Sequence, residues 1–238
     1  MNIFIDIETV PAQDPEAIKM LRAESDEEKL LIKAPSNYKD EAKIREYILA
    51  KQIEIDTAFD ERYRKTSFDG AYGQIACIGY AIDDEPAQSV WGAMWARDEK
   101  HVLNVFFNIL QEAYNPNDQM RPTFIGHNLI GFDLRFIHQR SVMLGVKPPS
   151  FIPLKVKPWD ATVFDTMIDW AGVGNRVSLA KLCKVFGLDA KGSEIGEEID
   201  GSKVWDFVKD GRIEDVARYC EGDVERTRQV YKRLNFIE

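Results

Sequence analysis

The stretch that decides the fold is NIFIDIETV, residues 2–10, where an otherwise apolar run carries two carboxylates two residues apart. It reads as a buried strand over residues 2–8. Successive strand side chains point to opposite faces, so Ile3, Ile5 and Ile7 share one face while Phe4, Asp6 and Glu8 share the other. The two acids project together, roughly 6–7 Å apart along the strand. Burying like charges side by side is costly, and a protein tolerates it when a cation sits between them or a surface position relieves them. The rest of the chain is therefore read for further ligands.

At 238 residues, 45% hydrophobic and 11% aromatic, the chain has the size and composition of one globular domain, or of one domain with an appended piece. No basic region followed by an apolar stretch and a cleavage site opens it, and no apolar run approaches a membrane span. A soluble, cytoplasmic protein with no membrane partner is expected. Cys77, Cys183 and Cys220 are odd in number and widely spaced, which fits reduced thiols and gives no zinc spacing. The net charge of −9 argues against broad electrostatic binding of a polyanion. A nucleic-acid partner needs some local source of attraction.

Residues 11–72 form a long charged connection. Between Gln13 and Lys65 stand 13 acidic and 11 basic residues, with Ile18, Leu21, Ile44, Tyr47 and Ile48 at helical spacings. So long a segment is not an ordinary loop, and a helical insertion in a single 1–238 domain is expected. Its Tyr38, Tyr47, Tyr63 and Tyr72, with Arg45, Arg62, Arg64 and Lys65, include side chains able to stack on bases and pair with phosphates. Residues 74–83 and 88–95 read as strands separated by the turn-like DDEP, then 101–114 as a helix, 123–128 as a strand and 132–144 as a helix. After a proline-rich break at 148–158, SLAKLCKVFGL (178–188) and SKVWDFVKDG (202–211) read as short helices and 213–234 as a long one. Strands followed by alternating strands and helices point to a mixed sheet covered by helices.

Two more acidic positions stand out. GHNLIGFDLRF (126–136) places Asp133 at a helix start just beyond a strand end, where it can reach back to the open edge of the sheet. In the last helix, Ile213, Val216, Ala217, Cys220, Val224, Thr227 and Val230 make the core-facing stripe, with Tyr219 and Asp223 as neighbours at its margin. Taken singly, each has a bland explanation. An acid in the first turn favours the helix dipole, and a boundary tyrosine beside a solvated acid needs no function. The combination carries more than its parts.

Asp6-x-Glu8, then Asp133 after HNLIGF, then Tyr219-x-x-x-Asp223, in that order, resembles the DEDD superfamily of 3'-to-5' exonucleases. The tyrosine four residues before the last aspartate looks like the DEDDy branch, which includes the proofreading domains of family B DNA polymerases. Arg218 stands where the histidine-using branch would need its histidine. GHNLIGFDLRF, SLAKLCKVFGL, DGSKVW and ARYCEGDVERT are similar to the predicted exonucleases related to that polymerase domain. The resemblance covers residues 1–10 and about 73–234. It implies an α/β, RNase H-like fold, a mixed five-stranded sheet with its first strands antiparallel and helices on both faces. The departure is residues 11–72, because family members commonly join the first two strands by a shorter connection.

Four carboxylates from a strand, a helix start and a helix face are oxygen ligands suited to Mg²⁺ or Mn²⁺. Two such ions, roughly 3.5–4 Å apart, can clamp an in-line displacement. In this reading Asp6 bridges both ions, Glu8 and Asp223 complete the water-activating one, Asp133 anchors the second, and Tyr219 orients the attacking water. The expected substrate is nucleic acid, single-stranded DNA 3' ends in the first instance. An exoribonuclease and a non-cutting nucleic-acid-binding module on the same fold are the alternatives. Thr9, Asn128 and Phe132 flank the acids and are candidate substrate contacts. Asp165, in FDTMIDW, resembles an aspartate–threonine pair of related nucleases but is equally explained as a helix cap, and it stays outside the catalytic set. His127 reads as structural.

Overall fold

Apart from Asn2, Thr9 and its two acids, β1 (Asn2–Val10) is apolar on both faces, as a central strand requires. Ile3, Ile5 and Ile7 join one core cluster, while Phe4 and Val10 pack on the opposite side. The computed structural model describes residues 1–237 except 116, 118–120 and 198. β2 (Gln74–Ile82) pairs antiparallel with β1, and β3 (Gln88–Trp91) antiparallel with β2. On the other side β4 (Thr123–Gly126) runs parallel to β1, and β5 (Val163–Asp165) parallel to β4, giving the order β3-β2-β1-β4-β5. This is the mixed five-stranded sheet, first strands antiparallel, that the resemblance implied.

Helices cover both faces. α3 (Trp95–Ala113) and α4 (Asp133–Leu144) pack on the isoleucine face through Val102, Leu103, Phe106, Leu134 and Ile137. α8 (Ile213–Leu234) crosses the face that carries Asp6 and Glu8, with α5 (Thr166–Ala171), α6 (Leu179–Phe186) and α7 (Val204–Lys209) packed against it. Each fully buried Ile, Phe or Leu of these layers contributes roughly 1.5–3 kcal/mol. α8 keeps its expected bounds, and its apolar stripe from Ile213 to Val230 is buried throughout. Among the described residues, no helix is long and apolar enough to cross a membrane.

Two sequence expectations shift. The strand read over 88–95 ends at Trp91: Asp98 reaches back to the Met94 N–H at 3.1 Å and starts α3 at Trp95, six residues before the apolar periodicity shows it. β5 and α5 show no periodicity in the sequence, because three and six residues are too short for a period to appear.

Pro11–Gly73 forms a second compact unit by contact pattern, separate from Met1–Val10 with Gln74–Glu238. It contains α1 (Pro15–Leu30), capped by Asp14 with Pro15 in its first turn, and α2 (Glu41–Lys65), capped by Asp40. The two helices are joined by Lys29–Asp56 and Arg62–Glu28 ion pairs, both at 2.7 Å, and by the Arg22 guanidinium over the Phe59 ring. Of the basic side chains proposed for phosphates, Arg45, Arg62, Arg64 and Lys65 each pair with an acid of this same unit. The Tyr63 hydroxyl donates to the Ala12 carbonyl, and Tyr38 packs edge-on against Tyr47.

Candidate active site

The site forms where β1 passes under α8. The β1–β2 ladder pairs Glu8 with Cys77 and Thr9 with Ile75, leaving Ala76 unopposed in a bulge beside Glu8. The Ile75 N–H donates to the buried Glu99 carboxylate at 2.8 Å, and Glu99 is held bidentately by Arg140 of α4. Above the strand, Tyr219 and Asp223 lie one helical turn apart and are only 1% and 2% exposed, not marginal as their place beside the apolar stripe had implied. One oxygen from each of Asp6, Glu8 and Asp223 lies within 4.8 Å of the others.

Asp133 does not join that tight group. It sits at the start of α4 as expected, buried, and its Oδ1 accepts the Ile7 N–H at 3.1 Å. Its position depends on the turn before it, where Asn128 adopts φ +63° and the Asp165 carboxylate accepts the N–H groups of Asn128 and Ile130 at 3.0 and 3.1 Å. The same carboxylate caps α5. Asp165 is thus a scaffold for the turn. His127 is also structural: Nε2 bonds the Val177 carbonyl and Nδ1 the Thr166 hydroxyl, both at 2.9 Å.

The electrostatics follow from crowding in a dry place. Burial and the nearby Asp223 push the Asp6 carboxyl up to about 7, against the opposing pull of Lys191. Burial, then Asp6, raises Glu8 well above the ordinary carboxylate range, and the same two causes raise Asp133. Burial and the carboxylates of Glu8, Asp223 and Asp6 raise the Tyr219 phenol, so it keeps its proton at neutral pH.

Sequence reading missed the cations that answer this charge. Lys191, in the loop between α6 and α7, donates to Asp223 Oδ2 and to the Tyr219 hydroxyl, the latter at 2.9 Å. Burial alone would lower its ammonium, yet Asp223 and Asp6 overcome that and raise it. Arg226, one turn after Asp223 on α8, donates to Asp223 Oδ1 at 3.2 Å. The only sequence sign of Lys191 is the glycine after it. Gly192 has φ +83°, and a Cβ there would stand 2.2 Å from the Glu197 carbonyl oxygen.

Asp6, Asp223 and Lys191 line a cleft of about 430 Å³ together with Asn128, Met167, Arg176 and Ser178. Of the candidate substrate contacts, Asn128 lines this cleft. Thr9 is buried in the ladder, and Phe132 packs against the core with its ring 5.5 Å from that of Phe136. Among the described residues the converging group is three carboxylates, a donor set that fits hard divalent cations.

A family model described as a predicted 3'-5' exonuclease related to the exonuclease domain of PolB matches residues 72–238. Asp133, Lys191, Tyr219 and Asp223 lie within that match, while β1 with Asp6 and Glu8 precedes it. Among solved structures, the family B DNA polymerase from the hyperthermophilic archaeon Pyrobaculum calidifontis is similar over 70% of this chain, with a TM-score of 0.52 and 19% sequence identity. This chain spans 22% of the polymerase's length, and the likeness is one of fold, RNase H-like as expected. No curated protein matches the chain. With the family model running from the start of β2 to the end of α8, the chain belongs to the family of predicted 3'-5' exonucleases related to the exonuclease domain of PolB.

Proposed function

We propose that the protein is a DEDDy-type 3'-5' exonuclease that hydrolyses the terminal phosphodiester bonds of single-stranded DNA with two divalent ions, Mg²⁺ or Mn²⁺. The observation that carries this reading is the meeting of Asp6, Glu8 and Asp223 within 4.8 Å beside an open cleft. When bound, such ions activate water and offset the charge that develops on the leaving 3'-oxygen.

The chain's own residues do the remaining work. Asp6, Glu8 and Asp223 would hold the ions, with Asp133 near enough to feel the charge of Asp6 and add a further carboxylate. Tyr219 holds its proton, so it aligns the attacking water by hydrogen bond and leaves the role of base to others. Asn128 and the exposed Arg176 face the cleft, where the guanidinium can take a backbone phosphate of the strand. A net charge of −9 keeps non-specific binding weak, so attraction is local to the ions and these groups.

The test is digestion of 5'-labelled single-stranded DNA, duplex DNA and RNA with Mg²⁺, Mn²⁺ or chelator, with Asp133→Asn as control. A ladder shortening from the 3' end of single-stranded DNA, metal-dependent and lost in the control, is the expected result. Shortening of RNA alone would move the substrate to RNA, and no cleavage of any strand would leave the acidic site without a nuclease role.

A further inference from the structure

Asp223 cannot take a divalent ion without giving up or sharing a partner it already has. Both its oxygens are engaged, Oδ1 by Arg226 Nη1 at 3.2 Å and Oδ2 by Lys191 Nζ. The two cations are not equally free to move. Arg226 is 4% exposed and also donates to the carbonyls of Asp189 and Ala190, to Ser193 Oγ and to the Glu194 carboxylate. Moving the Arg226 side chain away from Asp223 would break these other bonds as well, because the same buried guanidinium makes them. The Lys191 side chain, at 24% exposure, borders the cleft on a flexible four-carbon stem.

We propose that Lys191 is the resident counter-ion of the carboxylate cluster and cedes Asp223 Oδ2 to a divalent ion, so that the ion's affinity is set against that of the lysine. This rests on the metal reading above. The ammonium and a divalent ion are drawn by the same charges, because Asp6, Glu8 and Asp223 all act on Lys191 and converge on each other. The backbone under Lys191 stays in place during the exchange. Arg226 pins residues 189–194 to α8, and Gly222 makes the room: a Cβ there would stand 2.6 Å from Arg226 Nη1 and from Glu194. Only the side chain has to swing, and it swings toward the cleft that receives substrate.

Mn²⁺ titrations followed by thermal unfolding of the wild type, Lys191→Met and Lys191→Ala test the exchange. Both variants should melt below the wild type in chelator and bind Mn²⁺ about threefold or more tighter, the factor expected from a partly exposed ion pair lost to the competitor. Equal or weaker Mn²⁺ binding by the variants overturns the inference. A wild type whose melting ignores Mn²⁺ overturns the metal reading itself, a distinguishable failure. Should neither variant fold, amine acylation of the wild type read by mass spectrometry decides. Lys191 should label about threefold faster with Mg²⁺ than in chelator, for the same loss of its ion pair, with the exposed Lys19 as internal standard. An unchanged rate overturns the exchange.

Discussion

At the scale of single residues, the partners of each acid dictate the informative substitution. Asp133 accepts the Ile7 N–H, so alanine there would leave a buried donor unpaired at a cost of about 1–3 kcal/mol. Asn keeps the acceptor and removes only the charge. Asp133→Asn should therefore be at least as stable as the wild type in chelator while losing cleavage, read by urea unfolding and the labelled-strand assay. Undiminished turnover in that variant would remove Asp133 from the site. Tyr219→Phe should lower kcat by roughly ten- to a thousandfold with little change in KM, since it deletes one positioning hydrogen bond. His127 gives a pH signature. Burial holds its pKa below the ordinary 6.5, so the unfolded chain takes up the proton first as pH falls. The stability it contributes is intact above pH 6.5 and is lost as pH drops from there toward the lower folded value. Between about pH 7.5 and 5.5 the wild type should lose more unfolding free energy than His127→Asn. Equal losses would show that another group carries the proton.

At the scale of elements, β1 and β2 are built to be joined directly. Val10 and Gln74, which bracket the second unit, are register partners in the antiparallel ladder. Replacing 11–73 by a turn of about two to five residues should give an ordinary hairpin. The shortened protein is expected to fold, keep the bulge beside Glu8, and retain a metal-dependent melting shift. Loss of folding, read by circular dichroism and the absence of a cooperative melt, would mean that the inserted helices are part of the core and not an addition to it. The internal pairing of Arg45, Arg62, Arg64 and Lys65 agrees with a unit that satisfies its own charges.

At the scale of the whole molecule, folding brings Asp6, Glu8 and Asp223 together, with Asp133 nearby, against the cost of their repulsion, and a bound ion returns that cost. An ion that binds only the native state at roughly 100 times its Kd stabilises by about 2.7 kcal/mol. Mg²⁺ and Mn²⁺ should each raise the melting temperature of the wild type, Mn²⁺ by as much or more, because it accepts imperfect octahedra. Asp6→Ala should abolish most of that rise, and in chelator it should melt no lower than the wild type, since it relieves a repulsion. Scattered surface acids would behave differently, with a small shift that the mutation leaves unchanged.

The sequence by itself determined the periodic parts: a strand placing Asp6 and Glu8 on one face, a helix opening at Asp133, and a long helix with Tyr219 and Asp223 one turn apart. Those positions follow from repeats of two and 3.6 residues, which a short window displays. The motif order Asp-x-Glu, Asp, Tyr-x-x-x-Asp also pointed to the family that the comparison supports. Only the tertiary structure decided the rest. β5 is too short to show a period, and the burial of Tyr219 and Asp223 depends on how α8 lies on the sheet. Lys191 stands 32 residues before the carboxylate it neutralises, in a loop with no repeat, and nothing local marks it except a glycine. Asp133 shares the motif with the other acids but stands apart from their tight group, where its carboxylate accepts the Ile7 N–H, a contact 126 residues apart in the chain. Charge balance at a site is a sum over everything that folding brings near it, and for this protein the balancing cations come from a loop and from the next turn of α8.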